Sequence, residues 1–192
     1  MEIVLCTTNK GKVKEINEIL GTNSQINFKT IDEVYSGDFD VDETGSTFYE
    51  NATLKAKAGA ALTKAVCLAD DSGIEIEGLD GRPGIYSARY LKENGLPKVL
   101  EELGANPNRR CRFTCCLVLV DANGKEINHI EEYWYGNISY EARGTNGFGY
   151  DPLVVPDEYA TEKLTVAQLE NGIKSQISHR AKAIKKLLES IL

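Results

Sequence analysis

The sequence predicts an α/β protein, and three observations carry the prediction. The apolar run Ile3-Val4-Leu5-Cys6 is followed by a polar turn, after which Val13, Ile16, Ile19 and Leu20 recur at helical spacing. An alanine-rich helical stretch then gives way to a second apolar run, Val66-Cys67-Leu68-Ala69. Finally, Asn123-Gly124 is a strong hairpin signal between two strand-like segments.

Taken in order, the first helix stops at Gly21, where a C-cap glycine belongs. From Asn23 to Asp42 the pattern weakens, with one strand around Ile26-Asn27-Phe28 and an acidic stretch from Asp38 to Glu43. Thr47 and Glu50 have capping-box spacing, so a helix starts there and runs through the alanines to Ala65. The run 66–69 reads as a buried strand ending in Asp70-Asp71-Ser72-Gly73, with a further strand from Ile74 to Glu77 and a turn-rich 78–84. Residues 98–104 look like a helix end before Asn106-Pro107. Arg112 to Val120 and Ile127 to Tyr135 form the hairpin, expected as an antiparallel arm or second lobe over roughly 110–140. The tail has a glycine-rich stretch at 144–152, a strand at Leu153-Val154-Val155, and a helix from Arg180 whose Ile184, Leu187, Leu188, Ile191 and Leu192 make one apolar face.

Composition bounds the function. The 192 residues suit a single domain. With 22 basic against 29 acidic residues the net charge is −7, which argues against polymeric nucleic acid and anionic membrane as partners. No apolar run approaches the ~20 residues of a membrane span, and the N-terminus has no secretory pattern, so a cytoplasmic protein is expected. Five cysteines, an odd number, suit reduced buried thiols; a zinc site is disfavoured because the only histidines, His129 and His179, lie far apart.

Four clusters could carry chemistry. Thr7-Thr8-Asn9-Lys10-Gly11-Lys12 joins a strand to a helix, where backbone N–H groups and lysines favour a phosphate; a polar turn with solvated lysines is the competing reading. Asp70-Asp71-Ser72-Gly73 closes an apolar strand, and with Glu43 it offers the paired carboxylates that suit Mg²⁺, or else an acidic turn. Phe148 between glycines in Gly147-Phe148-Gly149-Tyr150-Asp151-Pro152 could stack on a flat ligand, or belong to the core. Lys174, Ser178, His179 and Arg180 gather before the last helix; Ser178 can cap it, while cations in its first turn ask for an anionic or carbonyl-bearing ligand. A Ser72–His179 hydrolase lacks the nucleophile-elbow glycines.

The order and spacing of these clusters, with Glu43-Thr44-Gly45, Thr47-Phe48, Glu50-Asn51-Ala52 and the stretch from Pro83 to Tyr90, resemble the inosine triphosphate pyrophosphatases, the Ham1-like family, from residue 3 to about 188. The resemblance implies a mixed, elongated sheet with flanking helices, two lobes around a central cleft, and a homodimer. It implies Mg²⁺-dependent hydrolysis of ITP, dITP and XTP to monophosphate and pyrophosphate. It assigns phosphate binding to the 7–12 loop and Lys174, metal to Glu43 and Asp71, and proton acceptance to Asp71. Nucleotide contacts fall to Ser72, Phe148, Gly149, Tyr150, Asp151, His179 and Arg180. Here Asn171-Gly172-Ile173 precede Lys174, where the family often has acidic residues. A non-catalytic nucleotide-binding module and a triphosphatase for another modified nucleotide are the alternatives.

Overall fold

The computed structural model describes residues 2–21 and 26–192; Met1 and the start of the weakly patterned stretch, including Asn23, lie outside them. Strand β1 (Glu2–Leu5) is the expected apolar run, with Ile3, Val4 and Leu5 buried. Helix α1 (Lys10–Leu20) begins where Asn9 Oδ1 accepts a hydrogen bond from the Lys12 amide at 3.1 Å. It ends at Gly21, whose φ of +53° favours glycine. Strand β2 (Asn27–Thr30) lies parallel to β1, Ile3 opposite Phe28, and leads into the single turn α2 (Ile31–Val34).

Helix α3 (Phe48–Thr63) starts as the capping spacing predicts, Thr47 Oγ1 accepting from the Glu50 amide at 3.1 Å. The Glu50 carboxylate, however, reaches Ser46, accepting from its amide at 2.6 Å and its hydroxyl at 2.9 Å, one residue earlier than a standard box.

Strand β3 (Cys67–Ile76) corrects the sequence reading, which ended one strand at Asp70-Asp71-Ser72-Gly73 and began another at Ile74. The strand runs unbroken through these residues. Buried carboxylates are tolerated in its middle because each meets a cation: Lys12 and Arg180 at Asp70, Lys55 at Asp71.

Helix α4 (Ser87–Leu103) is interrupted at Gly95 (φ 72°, ψ 175°) ahead of Pro97 and closes at Gly104. Strands β4 (Arg110–Val120) and β5 (Glu126–Ile138) meet at a turn built on Asp121, whose Oδ1 accepts from the amides of Asn123 (2.8 Å) and Lys125 (2.9 Å). Strand β6 (Val154–Pro156) pairs antiparallel with β5. The chain finishes with the single turn α5 (Lys174–Ile177) and the amphipathic α6 (His179–Ile191). The six strands form one mixed sheet in the order β2-β1-β3-β4-β5-β6, as the predicted class requires.

The chain divides into two compact units. Unit 1 comprises Met1–Asp71, Cys115–Glu132 and Arg180–Leu192, and unit 2 comprises Ser72–Thr114 and Tyr133–His179. The hairpin expected to be a lobe over 110–140 is therefore shared: its turn and inner residues lie in unit 1, its outer ends in unit 2. Strands of 11 and 13 residues are long enough to supply side chains to two cores.

Unit 1 has apolar side chains on both sheet faces. Ile3, Leu5, Leu68, Cys115, Leu117 and Leu119 pack with Ile16 of α1 and Ala183, Ile184 and Leu187 of α6. On the other face α3 approaches so closely at Gly59 that a Cβ there would stand 2.1 Å from Cys6 Sγ. The core of unit 2 joins Ile74, Ile76, Cys111, Phe113, Trp134 and Ile138 to Val99 and Leu103 of α4. All five cysteines are free and buried, as their odd number suggests. No described helix is long and apolar enough to cross a membrane.

Candidate active site

In unit 1 the 7–12 segment is partly loop and partly the first turn of α1. Thr7 Oγ1 accepts from the Asn9 amide at 3.2 Å, holding the turn in shape ahead of a helix start that carries Lys10 and Lys12 and no acid. Thr7, Thr8, Lys10 and Lys14 line an open depression of about 590 Å³. Such a helix start favours an anion. The Lys12 ammonium turns toward β3, 2.5 Å from Asp70 Oδ1 and 3.4 Å from the Asp70 carbonyl.

The two adjacent aspartates have opposite environments. Asp70 is the centre of a buried ion network: Arg180 Nε donates to its Oδ2 at 2.7 Å, and Arg180 Nη1 donates to Glu15 Oε2 at 2.7 Å. Burial works against its charge, but Arg180 and Lys12 outweigh burial and hold its carboxyl well below the usual range. Asp71 points to the other side of the strand, toward α3, where Lys55 Nζ stands 2.7 Å from Asp71 Oδ1 and 2.7 Å from Glu43 Oε1. Burial raises the Asp71 carboxyl and Glu43 adds to it, against the pull of Lys55 and Lys12. Its Oδ2 is buried and has no hydrogen-bond partner. That is an uncompensated acceptor aimed at a site two carboxylates share.

Glu43 and Asp71 are the residues that could hold a metal. Their oxygens are the hard donors a small divalent cation takes, and the orphaned Asp71 Oδ2 is open to one. Among the described residues no set of three or more His, Cys, Asp or Glu forms a closed metal cage. Two carboxylates at one place fit an ion that fills its other positions with water and phosphate oxygen, as Mg²⁺ does.

In unit 2 the glycine-flanked loop is built around Asp151. Its Oδ2 accepts from the Phe148 amide at 2.9 Å and from Lys174 Nζ at 2.8 Å, and the same ammonium lies 4.4 Å from the centroid of the Phe148 ring. Gly147, at φ +73°, admits the carboxylate: a Cβ there would stand 1.9 Å from Asp151 Oδ2. Gly147→Ala should displace Asp151 and with it Lys174 and Phe148. Steady-state kinetics are expected to show at least a tenfold loss in kcat/KM; a loss below twofold would remove the loop from the site. Tyr150, by contrast, is a core residue whose hydroxyl donates to the Ser87 carbonyl at 2.6 Å.

His179 is buried in a ring stack, 5.0 Å from Phe113 at 11° and 6.3 Å from Trp134 at 18°. Arg180 is buried in unit 1 with two nitrogens on Asp70 and Glu15, so the structure places it as an anchor. Ser72 is half-buried in β3 next to Asp71. His129 is an exposed partner of Glu126 at 2.8 Å, as its strand position suggests.

Sequence reasoning passed over Lys55, Glu15, Phe113 and Trp134. Two of them had a signal. In α3 the buried stripe runs Phe48, Asn51, Ala52, Ala56, Gly59, Ala60, and Lys55 falls on it at helical spacing. In α1 Glu15 adjoins Ile16 on the buried face. A charge on an apolar stripe demands a partner.

Fold and site together define a class: α/β proteins whose first unit sets a cationic helix start beside paired carboxylates, a chemistry for polyphosphate. The Ham1 family model matches residues 3–190, and the chain belongs to that family. The dITP/XTP pyrophosphatase of Bacillus subtilis is 42% identical over 193 residues, spanning 97% of this chain and 94% of that protein. The dITP/XTP pyrophosphatase of Oceanobacillus iheyensis is 40% identical, spanning 97% and 95%. Among solved structures, the Staphylococcus aureus Ham1 protein superposes with a TM-score of 0.84 at 38% identity, covering 100% of this chain and 98% of that one. The Coxiella burnetii HAM1 protein gives 0.86 at 37% identity, with the same coverage.

Proposed function

We propose that this protein hydrolyses deaminated purine nucleoside triphosphates, dITP, ITP and XTP, to the monophosphate and pyrophosphate, with Mg²⁺, as a cytoplasmic homodimer. The observation that carries the reading is the buried Asp71 Oδ2, without a hydrogen-bond partner, beside Glu43 on a shared lysine. A module that only bound nucleotide would have no use for an ionisable oxygen kept from solvent and from partners.

Phosphoryl transfer is mainly positioning and charge stabilisation, and the substrate brings about four negative charges. The α1 start with Lys10 and Lys12, and Lys174 on Asp151, supply the cations. Lys12 spends two donors on Asp70 and keeps a third for a phosphate oxygen. Asp71 takes the proton of the attacking water, and Lys55 on its Oδ1 orients the carboxylate. Mg²⁺, held by Glu43 and Asp71, would neutralise phosphate charge. Ser72 and Phe148 contact the nucleotide.

Purine selection rests on position 6, an oxygen acceptor in the deaminated bases and an amino donor in adenine. A donor at His179 is satisfied by the first and left unpaired by the second, at about 1–3 kcal/mol. His179→Phe keeps the ring stack but removes its donors. The dITP to dATP ratio of kcat/KM should fall about tenfold, and an unchanged ratio would exclude His179 from base selection.

The deciding experiment is a panel of nucleoside triphosphates with Mg²⁺, separating pyrophosphate from single-phosphate release. Pyrophosphate from dITP and XTP, little from dATP, and loss of both on chelation are expected. Release of single phosphates, or turnover indifferent to chelation, would overturn the proposal.

A further inference from the structure

Glu43 offers its carboxylate from a segment without regular structure. Residues 35–47, between α2 and α3, belong to no helix or strand, so neither a sheet ladder nor a helix sets where that carboxylate stands. The Lys55 ammonium touches it at 2.7 Å, but an ammonium bears the same sign as a metal ion and competes with one for the same oxygens. A different contact has to hold the segment when an ion is bound.

The first turn of α3 supplies two. Glu50 takes the amide and hydroxyl of Ser46, and Asn51 Oδ1 accepts from the Gly45 amide at 2.8 Å, two residues beyond Glu43. Their settings differ. Glu50 is exposed, so water competes for its oxygens. Asn51 is 1% exposed, on the buried stripe otherwise made of Phe48, Ala52, Ala56, Gly59 and Ala60. A buried amide is costly unless it is hydrogen-bonded, and asparagine is a poorer helix former than alanine. Packing and propensity both favour an apolar residue at 51, and what asparagine adds there is an acceptor for Gly45.

Gly45 is matched to that acceptor. A Cβ at 45 would stand 2.6 Å from Glu50 Cβ, 2.7 Å from Asn51 Oδ1 and 3.0 Å from the Asn51 amide nitrogen, so only glycine brings its backbone this close to the helix. Asparagine and glycine thus make one joint. Through it the rigid frame of α3 extends to the carboxylate that shares Lys55 with Asp71.

We infer that Asn51 is a positioning residue for Glu43, acting through the Gly45 amide to keep that carboxylate where a divalent ion meets it; the inference rests on the metal reading above. Mn²⁺ titration of the full chain, followed by loss of the free-ion EPR signal, reads the site without turnover. Asn51→Leu keeps the size of the side chain and removes the acceptor. Gly45→Ala breaks the same joint from the loop side and leaves the buried stripe of α3 as it is. Each should weaken Mn²⁺ binding about tenfold and raise the Mg²⁺ concentration for half-maximal rate by about the same factor. At saturating Mg²⁺ kcat should stay within about threefold of wild type, a split that general damage to the fold would not produce. Mn²⁺ affinity within about twofold of wild type in both variants overturns the role of Asn51, and so does a fall in kcat at saturating Mg²⁺ with affinity unchanged. A wild type that takes up no Mn²⁺ overturns the metal reading of Glu43 and Asp71 itself.

Discussion

Asp71→Asn should lower kcat by about 10²–10⁴, the range a positioned general base contributes, while nucleotide binding weakens little. The asparagine keeps the size of the side chain and can still accept near Lys55, so the phosphate-holding lysines stay in place. Single-turnover kinetics beside equilibrium nucleotide binding check both halves. Turnover within tenfold of wild type would take the proton acceptor away from Asp71.

Arg180→Met should have a different signature, a loss of about 3–5 kcal/mol of stability in denaturant titration, because it leaves Asp70 and Glu15 buried without their shared cation. The methionine fills most of the volume, so the loss measures charge and not a cavity. Adding Glu15→Gln and Asp70→Asn should recover part of it, since two neutral amides cost less to bury than two carboxylates. A single variant as stable as the wild type would mean that the guanidinium is not the anchor its geometry indicates.

The fold was legible where one physical rule acted alone. Ile3 to Leu5, the Thr47 cap and the Asn123-Gly124 turn follow from burial, capping and backbone conformation. Reading failed at Asp70-Asp71, where local propensity says turn and the structure has a strand. The deciding partners are distant: Arg180 is 110 residues away from Asp70, and no local pattern announces it. The same distance hid the true setting of Arg180, which read as a ligand-facing cation at a helix start and is instead buried in unit 1. Lys174 and Phe148 were recognisable by type, but their joint dependence on Asp151 and on the room left by Gly147 appears only in three dimensions. Phe113 and Trp134 carried no signal beyond strand periodicity, since a core aromatic and one that stacks on a buried histidine alternate in the same way.

The ammonium that Lys55 lends to Glu43 and Asp71 acts as a placeholder. At rest the two acids already face a positive charge, so the folded state has no need of a divalent ion to keep them from repelling. Catalysis and survival are thereby uncoupled: a shortage of the ion would silence turnover without exposing the chain to unfolding, and activity could return as soon as the ion did. In practical terms, a chelated sample should melt where an untreated one does.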